Sequence, residues 1–253
     1  MHSSSKFNYI KIIFKVYTLL LLAQSGYCLA ESVLTLSTYA GPPLSNSNQS
    51  GFYDQVLNEA FSRAGHKIKI IQLPAERSLI NANEGIVDGD FVRISGLSAL
   101  YQDLIRVPEK IINFDFVAFT KDSNLAISDW QSTKGYHIGI VRGWKILEKN
   151  LVGAASLSRV KNQQLLFKLL DKNRVDIVVY SRFEGYELIN QLDIKGVKVL
   201  EPPLETREMF LYLNKQHSQL VPIIAQNIMD MKKDGSYDEI FKKTLLPYLQ
   251  ATN

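Results

Sequence analysis

Residues Arg77-Ser78-Leu79-Ile80-Asn81-Ala82-Asn83-Glu84-Gly85-Ile86-Val87-Asp88 lead into Gly89-Asp90-Phe91-Val92-Arg93. Further along, Gln164-Leu165-Leu166-Phe167-Lys168-Leu169-Leu170-Asp171-Lys172-Asn173-Arg174-Val175-Asp176 lead into Ile177-Val178-Val179-Tyr180-Ser181-Arg182. Each stretch reads as a helix, a stop at Gly85 or Asn173, the pair Val-Asp and a short apolar strand. Glycine and asparagine tolerate the left-handed conformation that commonly ends a helix. Each strand runs into an arginine at its carboxyl end, the end at which ligands sit in open α/β sheets. Two such units in one chain predict two α/β lobes facing each other across a cleft, with cations on its walls.

The first thirty residues stand apart. Lys6, Lys11 and Lys15 form a positive segment with no acid before Glu31, and residues 16–23 are an apolar run too short to span a membrane. Cys28-Leu29-Ala30 offers small residues for processing, so residues 1–30 are predicted to be a signal peptide cleaved before Glu31. A retained membrane anchor is the competing reading. Cleavage removes the one cysteine, so the mature chain relies on its core rather than on disulfides. It also removes three lysines and no acid, lowering the formal charge from +4 to +1. That balance lacks the basic stripe of a nucleic-acid binder. The expectation is an exported, periplasmic globular protein.

Along the mature chain, residues 33–38 read as a strand and residues 51–64 as a helix closed by Gly65. Residues 67–73 read as a half-exposed strand and residues 75–84 as a helix. Further strands are expected at residues 106–112 and 114–119, and again at 137–141, 157–160, 197–200 and 209–213. Leu220, Ile224, Ile228 and Met231 fall on one helical face, and a short helix follows around residues 237–243. Alternating strands and helices argue for parallel-rich sheets. One lobe is expected to comprise residues 31–120 plus 204–253 and the other residues 121–203, with crossings near Lys121 and Pro203.

On particular residues the chain resembles the periplasmic type II solute-binding proteins of bacterial uptake systems, family 3, the polar amino-acid binders and their relatives. The carriers in the first lobe are Tyr39 with Pro42-Pro43, Gly51-Phe52-x-x-x-Val56-Leu57 and Gly85-x-Val87-Asp88. In the second half they are Ile138-Gly139-Ile140-Val141-x-Gly143, Arg174-Val175-Asp176 and the closing Lys233-Asp234-Gly235-Ser236. The resemblance implies a two-lobed periplasmic-binding-protein-like α/β fold of type II: two parallel-rich sheets flanked by helices, joined by a hinge that bends onto a small ligand. Two hallmarks are missing. Leu97-Ser98-Ala99-Leu100 stands where the amino-acid binders carry Thr-x-x-Arg, and Ser181 stands where they carry an ammonium-binding aspartate. A standard α-amino acid is therefore not carried over as the ligand.

Four arginines fall near expected cleft ends: Arg77 opening a helix, Arg93 and Arg182 after the repeated strands, and Arg142 before Gly143. Guanidinium groups suit bidentate capture of carboxylates or phosphates. Each is equally readable as a surface residue or as the partner of a local acid such as Glu76, Asp90 or Glu184. Gly143 and Trp144 open a helix whose free N–H groups are candidates for an anion, and Gly143 alone also fits a plain turn. Tyr39 and Trp144 are candidate aromatic walls, and Ser95 and Ser181 candidate hydrogen-bond donors. No hydrolase, metalloprotease or phosphate-loop motif occurs, and the histidines lack metal-ligand spacing. No cofactor and no metal are expected. The sequence thus points to a monomeric binder of a small anionic or zwitterionic solute serving an inner-membrane permease. A sensory module for a membrane partner is the alternative, and a dehydratase-type enzyme using Glu76 a more remote one.

Overall fold

The computed structural model describes residues 33–250; the expected signal peptide and its cleavage point lie outside them. In the first lobe, β1 (Val33–Thr38) is flanked in parallel by β2 (Lys67–Gln72) and β3 (Gly89–Arg93). In the second, β6 (His137–Val141) is flanked in parallel by β7 (Ser156–Val160) and β8 (Ile177–Ser181). The two halves therefore repeat a three-strand parallel unit, as the paired sequence stretches predict.

The Val-Asp pairs do the same physical work in both units. Val87 and Val175 are buried in the core at 5% exposure each. Asp88 accepts from the Thr35 N–H at 2.6 Å while its own N–H donates to the Thr35 carbonyl. Asp176 does this with His137 at 2.8 Å. Each aspartate thus clips the incoming strand to the neighbouring first strand of its sheet. Just upstream, Gly85 and Asn173 both take positive φ, ending α2 (Ala75–Asn83) and α4 (Gln163–Asp171). In the first lobe α1 (Phe52–Arg63) is capped by Asp54, which accepts from the Gly51 and Asn46 N–H groups.

Two long antiparallel strands join the halves. β5 (Ile112–Thr120) and β9 (Lys198–Asn214) pair from Ile112↔Met209 to Thr120↔Lys198. The far end of β9 also pairs with β3 and with the short β4 (Leu104–Arg106), and the far end of β5 pairs with β8. The chain order across the joined sheet is β2-β1-β3-β9-β5-β8-β6-β7.

Two local expectations differ from the structure, and one helix has no counterpart among them. The strand expected over residues 106–112 is broken. Val107 and Ile111 still donate to the Leu211 and Met209 carbonyls, but Pro108, which has no N–H, lies in the bulging segment between them. The two strands expected on either side of Pro202-Pro203 are one. Phe116 pairs with Glu205 and Ala118 with Leu200, so residues 201–204 stand opposite Val117 outside the ladder, where a missing N–H costs no sheet bond. Finally, α5 (Arg182–Gln191) begins directly at the end of β8. At its Gly185 a side-chain carbon would lie 2.1 Å from the Phe119 ring, so glycine is required by packing. Beyond the short α3 (Lys145–Asn150), the chain closes with α6 (Leu220–Asp234), α7 (Ser236–Thr244) and α8 (Leu246–Gln250). α6 buries Leu220, Ile224, Ile228 and Met231 as its spacing predicts. No helix of the described residues is long and apolar enough to cross a membrane.

Candidate functional site

The β5–β9 ribbon has two faces, because alternate residues of a strand point to opposite sides. Phe114 and Phe116 share one face with their cross-strand partners Arg207 and Glu205, and Met209 continues it. This face floors a cleft of about 670 Å³, within the usual range for small-ligand sites. The first lobe contributes Tyr39 after β1, Leu79 of α2, and Val92, Arg93 and Leu97 around the end of β3. The second contributes Trp130, the Gly143-Trp144 turn, and Ile146, Lys149 and Asn150 of α3.

Arg93 is aimed by a backbone irregularity. The β3–β9 register shifts between Phe91 and Arg93, and Val92 between them takes φ 65°, a costly conformation for a β-branched residue. The guanidinium that results lies 4.9 Å from the Tyr39 ring centroid, a cation–π arrangement. Its Nε donates to Asp90 at 2.5 Å and its Nη2 to the Ala75 carbonyl at 2.7 Å. Asp90 is fully buried and also accepts from Ser78 at 2.8 Å. Burial nevertheless pushes its carboxyl up to about 6, the Arg93 charge and hydrogen bonds opposing the rise.

The second-lobe wall is built of fixed aromatic planes. Trp144 stacks on Tyr180 of β8 with centroids 4.8 Å apart and planes 18° from parallel, and meets Phe116 edge-on at 5.7 Å. Trp130 donates its indole N–H to Glu205 at 3.0 Å, and the other carboxylate oxygen of Glu205 pairs with Arg207 at 2.7 Å. Lys149 is exposed and forms no ion pair among the described residues.

Of the nine residues singled out in the sequence, the structure brings Tyr39, Arg93, Gly143 and Trp144 to this cleft. Arg77, Ser95 and Arg142 are exposed and do not line it, although each neighbours a lining segment. The Gly143 N–H is taken by Glu148 at 3.1 Å. Ser181 is buried and donates to Glu184 at 2.6 Å; Glu184, raised by burial above the ordinary carboxylate range, also accepts from the Gly41 N–H of the other lobe at 3.0 Å. Arg182 lies on the back of the ribbon, where it pairs with Asp115 at 3.0 Å and with Glu201. Thr206 donates to the same Asp115 at 2.7 Å.

The sequence reasoning missed the floor and the Trp130–Glu205–Arg207 group. A signal existed in the strict apolar–polar alternation Ile112-Asn113-Phe114-Asp115-Phe116, which places three residues on one face; Glu205-Thr206-Arg207-Glu208, polar throughout, carries no such signal. Two other recesses, of about 560 and 580 Å³, carry less chemistry. The first reaches the second lobe only at Glu187 of α5. In the second, behind the ribbon, Lys110, Arg182 and Lys232 are all paired with acids.

This architecture is the two-lobed periplasmic-binding-protein-like fold. Similar solved structures include an ancestral arginine-binding protein bound to glutamine, with a TM-score of 0.67, 20% identity, and 84% of this chain and 97% of that one covered. The GluR0 ligand-binding core in complex with L-glutamate has a TM-score of 0.72 at 14% identity, covering 85% of this chain and 98% of that one. A histidine kinase sensor domain with similarity to periplasmic binding proteins has a TM-score of 0.70 at 13% identity, covering 85% and 96%. In sequence the chain is 27% identical over 216 residues to an uncharacterized protein of Shewanella oneidensis, covering 82% of this chain and 80% of that protein. No family profile matches it.

Proposed function

We propose that this chain is a divergent family 3 solute-binding protein of the periplasm, taking a small anionic or zwitterionic solute between its lobes and delivering it to an ABC-type permease. The observation that carries this reading is the cleft itself: one floor shared by both lobes, three cations (Arg93, Lys149 and Arg207), and among the described lining residues a single acid, Glu205. The β5–β9 ribbon is the hinge in this reading. The lobes on either side, residues 31–120 with 204–253 and residues 121–203, close on the ligand as rigid bodies. Removal of residues 1–30 by signal peptidase and a monomeric mature chain complete the proposal.

The role is binding rather than catalysis. Glu205 is engaged by Trp130 and Arg207, and Glu76, the acid that a dehydratase-type mechanism would call on, is exposed on the first turn of α2 outside the cleft lining. The likeness to a kinase sensor domain supports a second reading, in which the partner is a membrane sensor. Native mass spectrometry of the protein purified from periplasm, followed by release and identification of what it holds, tests the first claim. A bound anion that is exchanged without conversion is the expected result, and turnover of the released compound would overturn it. In-cell crosslinking at the lobe tips distinguishes permease from sensor by the mass of the captured membrane protein.

A further inference from the structure

Both tryptophans of the chain, Trp130 and Trp144, stand in this one cleft, together with Tyr39 and the floor residues Phe114 and Phe116. These rings are held in place: Trp144 by its stack on Tyr180, Trp130 by its bond to Glu205, and Phe114 and Phe116 by each other at 5.2 Å. Leu79, Val92, Ile146 and Met209 fill the spaces between them. Rigid apolar walls recognise a flat or bulky apolar body, whose burial supplies the affinity.

The charges are arranged for one sign only. Glu205 has its charge compensated by Arg207 at one oxygen and accepts from Trp130 at the other. Asp90 lies behind the wall and is held by Arg93 and Ser78, while Glu184 is held by Ser181 and Gly41. An ammonium entering the cleft would therefore be desolvated beside Lys149 and two arginines already paired with acids, with no uncommitted carboxylate among the described lining residues to receive it, a costly placement. A carboxylate instead meets Lys149, which has no ion pair among the described residues, and the remaining Arg93 nitrogen, Nη1, which makes no hydrogen bond among them.

Resting on the solute-binding reading above, we propose that the ligand class is an aromatic or similarly apolar-bodied carboxylate without an amino group, rather than an amino acid. The test is titration of the mature protein by tryptophan emission and calorimetry with four matched probes: 3-phenylpropionate, L-phenylalanine, 2-phenylethylamine and propionate. 3-Phenylpropionate should bind with a change in emission. L-Phenylalanine, which differs only by its ammonium, should bind at least about tenfold more weakly, and the amine and propionate should leave the emission unchanged. Lys149→Gln should weaken 3-phenylpropionate by about tenfold with an unchanged unfolding midpoint. Arg207→Ala, which frees one oxygen of Glu205, should narrow the preference over L-phenylalanine. Equal or tighter binding of L-phenylalanine, or a tryptophan response to glutamate, glutamine or arginine at lower concentration, overturns the ligand class and leaves the solute-binding reading standing. Absence of binding by every probe and every amino acid overturns both.

Discussion

Asp90 sits without exposed surface behind the cleft wall, and burial lifts its carboxyl to about 6 although Arg93 and Ser78 both donate to it. The unfolded chain would hold the same group at about 3.9. Between about pH 4 and pH 6 the folded state therefore keeps a proton that the unfolded state has lost. Stability from this group is present at the acid end and falls as pH rises, by about 1.4 kcal/mol per unit and on the order of 3 kcal/mol in all. Asp90→Asn should flatten that slope: urea midpoints of the variant should change less than those of the parent between the two ends of the window. Parallel slopes would mean that Arg93 compensates the buried charge fully. Arg93 was legible as a cleft residue because it ends a repeated strand. The Val92 irregularity that aims it was not, since nothing in a valine announces a positive φ.

At the scale of elements, periodic stretches were readable and exceptions were not. The strands of both parallel units, α1 and the buried face of α6 follow from apolar spacing alone. β9 was cut in two in the sequence because prolines usually end strands; here they fall on a bulge that the partner strand skips. α5 is not among the elements expected from the sequence, and the packing reason for its Gly185, the ring of Phe119, is distant in sequence. Gly185→Ala should cost about 1–3 kcal/mol, since the added methyl drives a ring and a helix apart in a dense core. Chemical denaturation measures it, and a neutral result would show that Phe119 has room to swing. Arg182 belongs to the same element. Its pairs with Asp115 and Glu201 bind α5 to both strands of the ribbon from behind. Arg182→Ala should lower stability by about 1.5–3 kcal/mol, seen as an earlier unfolding midpoint, with ligand affinity changed far less than in Lys149→Gln. The opposite pattern would put Arg182 in the binding site.

At the scale of the whole molecule, the two-unit plan was legible because the Val-Asp clip is a local device used twice, by Asp88 on Thr35 and by Asp176 on His137. The cleft floor was harder to see, since it forms only where β5 and β9, far apart in sequence, come together. One contact across the lobes has a direct mechanical consequence. Glu184 of α5 accepts from the Gly41 N–H after β1, and Ser181 holds the same carboxylate in position. If the lobes swing about the ribbon, this bond must break, and both groups then return to water. It therefore adds to this arrangement of the lobes a hydrogen bond worth about 1.5–3 kcal/mol net when the carboxylate is ionised. Glu184→Ala should shift the ligand-free protein toward open forms. Small-angle scattering should then give a larger radius of gyration for the variant than for the parent without ligand, and the two radii should converge at saturation. Affinity should fall as the closed population falls, although Glu184 itself does not line the cleft. Identical ligand-free radii would show that the lobes do not depend on this bond to meet.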